Sequence, residues 1–295
     1  MNSVPEVSDE AGESLSPRSP GPVTRVRAVR IGGESPGPRE EHLATEEPLE
    51  IRVADRRLAV TMRTPGSDFD LAVGWLCAEG LIRGRDDVLA IRYCTDVDLD
   101  PLERFNVVTV DLGADAAVAA GALAARSFLM SSACGVCGRD TVADLRRRGY
   151  QPAPAGAPLD PELLAGLPDQ LRASQKVFDR TGGLHAAGLV DLETGALLVV
   201  REDVGRHNAV DKVIGRATLD GVLPRGGLGL VVSGRTSFEL AQKTVAAGIA
   251  ALVGVSAPSS LAVSLAREFG LTLAGFAREG RMTVYAGAER LAASS

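Results

Sequence analysis

The sequence predicts an α/β protein in which a small α+β unit precedes a larger domain built on a mixed, largely parallel sheet. Two patterns carry this reading. Between Leu49 and Leu112 the order is strand, strand, helix, strand, strand. Beyond Asn208, short apolar runs alternate with helical ones long enough for βαβ crossovers, which places helices over the sheet.

The elements follow in order. Residues 1–22 are rich in Ser, Pro, Gly and acids without an aromatic residue, and read as a disordered tail. VTRVRAVRI (Val23 to Ile31) predicts an edge strand before a Gly/Pro/Glu-rich connection to about Pro48. LEIRVADRRLAVTMRT gives two β-like runs about a polar centre, a hairpin, and SDFDLAVGWLCAEGLI follows as a helix. Ser67 suits its N-cap, Asp68 and Asp70 its positive end, and Gly84 lies beyond its C-terminus. Strands at Val88 to Thr95 and Phe105 to Leu112 and an Ala-rich helix from Ala114 to Ala125 complete an N-terminal unit over 23–125. A mobile Cys-bearing loop and a short helix, Asp140 to Arg148, occupy 126–150. The second domain, 151–295, opens with a stiff QPAPAGAP connector and a helix from Asp160 to Arg172. A hairpin from Leu184 to Asp203 turns at Glu193, Thr194 and Gly195. Helices at Asn208 to Thr218, Phe238 to Ala250 and Ser260 to Phe269 then alternate with strands at Gly229 to Ser233, Leu252 to Val255 and Leu271 to Phe276, and a last strand runs from Arg281 to Tyr285.

Composition narrows the function. Of the 295 residues 45% are hydrophobic and 24% charged, an ordinary globular balance. The formal net charge of -6 argues against general nucleic-acid binding, which draws on surplus Lys and Arg. No apolar run approaches the roughly 18 residues of a membrane span, and the N-terminus lacks a basic segment followed by an apolar one, so a cytoplasmic protein is expected. Four cysteines are no disulfide framework, and a close pair among reduced thiols points to reactivity or metal binding.

That pair is in SSACGVCGR, Ser131 to Arg139. Zinc needs four ligands, or three and a water; Cys77 and Cys94 lie in core-like segments, leaving His42, His185 and His207 to complete a site. The H-x-E and P-C-x-x-C signature of zinc deaminases is absent, since the histidines read HLA, HAA and HNA and Ala133 precedes the first Cys. A thioredoxin-like pair belongs at a helix start after a strand, whereas this one follows a helix. The residues favour an exposed thiol: Gly135 and Gly138 remove steric cover, and Arg139 favours the thiolate. Metal binding, a redox disulfide and an inert surface loop stay open on these residues alone.

A second constellation lies at the strand ends. LGLVVSG runs into Arg235, Thr236 and Ser237, with Thr236 and Glu239 spaced as a capping box; LVGVS runs into APSS; LTLAGF runs into Ala277, Arg278, Glu279, Gly280 and Arg281. The carboxyl ends of parallel strands, faced by helix N-termini, form the crevice where anions bind in open α/β sheets. A third cluster, DVGRHNAVDK, offers Arg206 and His207 on a loop, Asn208 as a candidate N-cap and Asp211 at the matching acidic position. His185 reads either as a half-buried structural histidine or as site lining.

Taken in order, EEPLEIRV, MRTPGSDFDLAVGWLCAEGLI, SSACGVCGRD, TGGLHAAGLVD, REDVGRHNAVDKVIG, SGRTSFELAQK, APSSLAVSLA and LTLAGFAREGRMTVY closely resemble the FdhD family of sulfur carriers required for formate dehydrogenase activity. The resemblance implies a sulfurtransferase that accepts persulfide sulfur from a cysteine desulfurase on its C-x-x-C loop. It implies delivery to the molybdenum cofactor, as bis(molybdopterin guanine dinucleotide), before insertion into formate dehydrogenase. It also implies a homodimer, and a cytidine-deaminase-like, three-layer α/β second domain without the zinc motif or a metal of its own. Residue by residue, the persulfide falls on Cys134, with Cys137 the close second, and cofactor contact on Phe276, Ala277, Arg278, Glu279, Gly280 and Arg281. Arg235 and Arg206 are added by the physical reading, because pyrophosphates need cationic partners. Two other readings remain: a zinc-dependent deaminase-like hydrolase, and a chaperone that holds the cofactor with the cysteines incidental.

Overall fold

The computed structural model describes residues 21–33, 35–94, 100, 103–127, 145, 150, 158–224 and 226–293. Nearly all of the tail, the Cys134 to Cys137 segment, most of the helix expected over Asp140 to Arg148 and nearly all of the QPAPAGAP connector lie outside them. No helix among the described residues is long and apolar enough to cross a membrane.

The chain begins with an antiparallel hairpin, β1 (Val23–Arg30) and β2 (Gly37–Ala44), which forms its own two-stranded sheet. β2 occupies the span expected as a connection: GPREEHLA has no apolar alternation, and it pairs through its backbone, with Arg25 and Glu40 also 3.5 Å apart on the surface.

Next come β3 (Glu47–Val53), β4 (Arg56–Arg63), α1 (Asp68–Ala78), β5 (Val88–Tyr93), β6 (Val107–Leu112) and α2 (Ala114–Ser127). The four strands order as β4-β3-β6-β5 with β3 and β6 parallel. Leu49, Ile51, Val53, Val108 and Val110 bury one face of this sheet. α1 is apolar nearly all round and is buried along most of its length, as a helix with protein on every side must be. Its start differs from expectation. Ser67 holds the N-cap position in a left-handed conformation, φ 57°, and its side chain caps nothing. The helix end is instead stitched by the fully buried Arg63, which grips both oxygens of Asp68 at 3.1 and 3.0 Å.

The second part runs α3 (Pro161–Ala173), α4 (Lys176–Thr181), β7 (His185–Asp191), β8 (Leu197–Asp203), α5 (Arg206–Leu219), β9 (Leu228–Val232), α6 (Phe238–Ala246), β10 (Ala251–Gly254), α7 (Ser260–Glu268), β11 (Thr272–Arg278) and β12 (Arg281–Ala286). Its six-stranded sheet has the order β12-β11-β10-β9-β7-β8. β8, β9, β10 and β11 share one direction, and β7 and β12 oppose them, so adjacent parallel pairs are confined to the centre. Successive strand residues feed opposite faces. Leu230, Leu252 and Leu273 join the core with α5, α6 and α7, while Val231, Val253 and Ala274 meet Leu164, Leu167 and Leu171 of α3. This is a three-layer α/β arrangement. Each fully buried leucine contributes about 2 kcal/mol.

α1 lies directly on α5. A Cβ added to Gly74 would stand 1.8 Å from the carbonyl oxygen of Asp211, and one on Gly215 would stand 1.8 Å from that of Asp70. Two glycines therefore let the helix backbones touch, and one apolar core runs from β3 through α1 and α5 into the central sheet.

Candidate functional site at the strand ends

β9, β10 and β11 end side by side, followed by the loop before α6, the loop before α7 and the turn into β12. Thr236 and Pro258 bridge the first two loops. β7 runs the opposite way, so its first residue, His185, arrives at the same edge. Together with α3 and α4 these ends enclose a cavity of about 580 Å³, lined among others by Arg172, Phe178, His185, Ser233, Ala277 and Arg278. Arg172 lies over the Phe178 ring, 4.8 Å from its centroid, and pairs with Asp179 at 2.7 Å. α4, which builds this wall, carries no readable signal in the sequence. Six residues around KVFDRT give too little periodicity to separate from loop.

The turn expected to meet the cofactor has an unusual backbone. The β11–β12 register slips by one residue between Gly275 paired with Thr283 and Arg278 paired with Arg281, a β-bulge. Phe276 takes φ 52° there and is 46% exposed. An aromatic residue is rarely left-handed, and such strain gathers where a surface is used. Ala277 is buried against the cavity and Arg278 lines it while exposed, with no ion pair among the described residues. Glu279 and Arg281 pair with each other at 2.6 Å in open solvent, a contact that contributes little, and Gly280 completes the turn at φ 71°.

A second group adjoins His185. Arg206 stands in the first turn of α5 with its Nε buried and without a partner. His207 Nε2 is 2.7 Å from Glu239 Oε2 and 3.4 Å from Ser237 Oγ. This hydrogen bond with His207 holds the Glu239 carboxyl below the usual range, against the effect of burial. Burial, with Arg206 and His207 nearby, lowers the pKa of His185 from its ordinary 6.5, so a neutral imidazole faces the cavity at pH 7. Arg235, two residues before Ser237 in the chain, is exposed.

Two expected caps are therefore absent. Glu239 turns to His207, and Thr236 is fully buried in the bridge to Pro258, so the capping box gives way to an N-cap at Ser237 without a side-chain bond. Asn208 lies inside α5, whose N-cap is Gly205, and its amide serves Met62 O at 2.7 Å and Asp203 Oδ1 at 3.1 Å. Asp211 is buried, and Lys243 Nζ meets its two oxygens at 2.7 and 2.9 Å. Burial pushes its pKa up, opposed by that ammonium.

The fold thus brings Ala277, Arg278 and His185 to one cavity, with Arg206 and His207 close enough to act on the His185 charge. Cys134 and Cys137 are outside the described residues. Cys77, by contrast, is buried 3.4 Å from Thr218 Oγ1, and burial pushes its thiol up to about 12. Among the described residues no three His, Cys, Asp or Glu side chains gather as a metal site.

Comparison with known proteins covers most of the chain. Residues 44–292 match the model of the FdhD/NarQ family. Sulfur carrier protein FdhD of Streptomyces coelicolor is 51% identical over 270 residues, 91% of this chain and 95% of that one. Its counterpart in Mycolicibacterium paratuberculosis is 53% identical over 270 residues, 91% and 98% of the two chains. Among solved structures, a Desulfotalea psychrophila protein provisionally assigned as a formate dehydrogenase accessory protein superposes with a TM-score of 0.70 at 23% identity, over 92% of this chain and 99% of that one. That superposition bears on the fold, and the two relatives and the family model bear on descent. With a match spanning the N-terminal sheet, the α1–α5 contact and every strand that ends at the cavity, the chain belongs to the FdhD/NarQ family.

Proposed function

We propose that this protein is a sulfur carrier that takes persulfide sulfur from a cysteine desulfurase and passes it to bis(molybdopterin guanine dinucleotide), its substrate, before that cofactor enters formate dehydrogenase. The observation that carries the reading is that relatives named sulfur carrier protein FdhD match 91% of the chain at about half identity. In the proposed reaction the Cys134 thiolate attacks the outer sulfur of the desulfurase persulfide. The donor S–S bond breaks, the desulfurase cysteine leaves as a thiolate, and Cys134 carries the persulfide. Cys137 is the second candidate: its thiolate attacking Cys134 sulfur would release the outer atom as hydrosulfide and leave a disulfide for an external thiol to reduce.

The strand-end cleft suits the other half of the task. A dinucleotide presents pyrophosphates and planar rings; Arg278 lines the cavity, the same turn carries the exposed Phe276 and Arg281, and Arg206 and Arg235 follow the strands β8 and β9 that belong to the same sheet. A second copy of the chain completes the assembly in this reading.

Guanosine diphosphate, the nucleotide end of the substrate, tests the cleft. Arg278→Ala should weaken its binding about tenfold, with the thermal midpoint unchanged because the side chain is exposed. Calorimetric titration giving the same affinity for both proteins would remove Arg278 from the site.

A further inference from the structure

We propose that Asp203 is a positioning residue whose buried carboxylate sets the turn carrying Arg206 and His207, and that Thr64 ties this turn to the N-terminal unit. The inference rests on the strand-end cleft being the cofactor site.

Asp203 is the last residue of β8 and is fully buried. Its Oδ1 accepts from Gly205 N at 2.8 Å and Asn208 Nδ2 at 3.1 Å. Its Oδ2 accepts from Thr64 N at 3.1 Å and is 2.7 Å from Lys212 Nζ. One oxygen thus holds the start of α5, and the other reaches across to the loop between β4 and α1. Thr64 answers with every heteroatom it has: besides its N–H, its carbonyl accepts from Lys212 Nζ at 2.7 Å and its Oγ1 from Val204 N at 3.2 Å. Asn208 extends the seam along β4, donating to Met62 O and accepting from Thr61 Oγ1 at 3.1 Å.

The residue before Thr64 faces the other way. Arg63 gives its guanidinium to Asp68, Asn106 Oδ1 and Phe105 O within the N-terminal unit. The last residue of β4 and the first of the loop after it therefore lock into two different polar networks, and the Val204–His207 turn cannot shift without breaking a bond to that loop. Stability alone does not explain a buried Asp–Lys pair, because apolar side chains of similar volume often serve as well. A fully satisfied network does confer a single arrangement. Here that arrangement aims Arg206 and His207, which follow Gly205 directly.

The test uses the full chain and guanosine diphosphate, read by calorimetry beside the thermal midpoint. Thr64→Val keeps the shape and removes the Oγ1 acceptor, and it should weaken binding about tenfold. Thr64→Ser should restore affinity to within about twofold. In an Arg206→Gln background the valine should cost no further affinity, because a positioning residue acts through the side chain it positions. Asp203→Asn should weaken binding more than Thr64→Val, and if it fails to fold the Thr64 pair decides. Unchanged affinity in Thr64→Val, failure of the serine to restore it, or full additivity with Arg206→Gln would each overturn the positioning role. No binding by the wild-type protein would instead remove the site reading on which the role depends.

Discussion

Cys134→Ala is expected to lower the protein's delivery of sulfur to the cofactor to background, a loss of at least about a hundredfold. The nucleophile in such an exchange is a thiolate, and the flanking sequence favours one at this position, with Arg139 close in the chain. Cys77 cannot take over. With its pKa at about 12, only about one thiol in 10⁵ is ionised at pH 7, and the side chain is buried. Cys137→Ala should leave partial delivery, because the role proposed for Cys137 is to assist the exchange while Cys134 holds the transferred atom. The readout is the activity of formate dehydrogenase matured with each variant, a desulfurase, cysteine and the cofactor. Undiminished activity with Cys134→Ala would end the assignment.

The second large effect is on stability. Gly74→Ala and Gly215→Ala should each destabilise the protein by about 3 kcal/mol or more, because the added methyl meets a backbone oxygen. Flexible side chains give way to a new Cβ, but at 1.8 Å from the carbonyls of Asp211 and Asp70 the two helices themselves must separate. Separation exposes part of the shared core and pulls on the β4–α1 loop and the start of α5. A fall in the thermal midpoint of about 6–12 °C is expected for either variant, and a shift within error would mean the contact is looser than the structure has it.

The parts of this fold that were legible share a physical reason. The β3–β4 hairpin, the β7–β8 hairpin and the alternating second half bury apolar residues at period 2 or 3.6, and those periods survive in the linear text. β2 was illegible because its charged residues carry no such pattern and backbone pairing with β1 defines it. Helix ends misled for a different reason. Asn208, Thr236 and Glu239 have the right spacing for caps, but the Asn208 amide serves Met62 O and Asp203, the Thr236 hydroxyl is buried without a partner while its backbone bridges to Pro258, and Glu239 pairs with His207. Family resemblance and two arginines mark the turn from Phe276 to Arg281 in the sequence, whereas its bulge and the left-handed Phe276 belong to the backbone alone. The Asp203–Thr64 seam joins residues 139 apart in the chain, beyond the reach of any local motif.

The central claim is that Cys134 carries sulfur, and intact-protein mass spectrometry after incubation with a cysteine desulfurase and cysteine tests it most directly. The account predicts a gain equal to one sulfur atom, removed by a reducing thiol and absent in Cys134→Ala. An unchanged mass in the wild-type protein, or the same gain in Cys134→Ala, would contradict it.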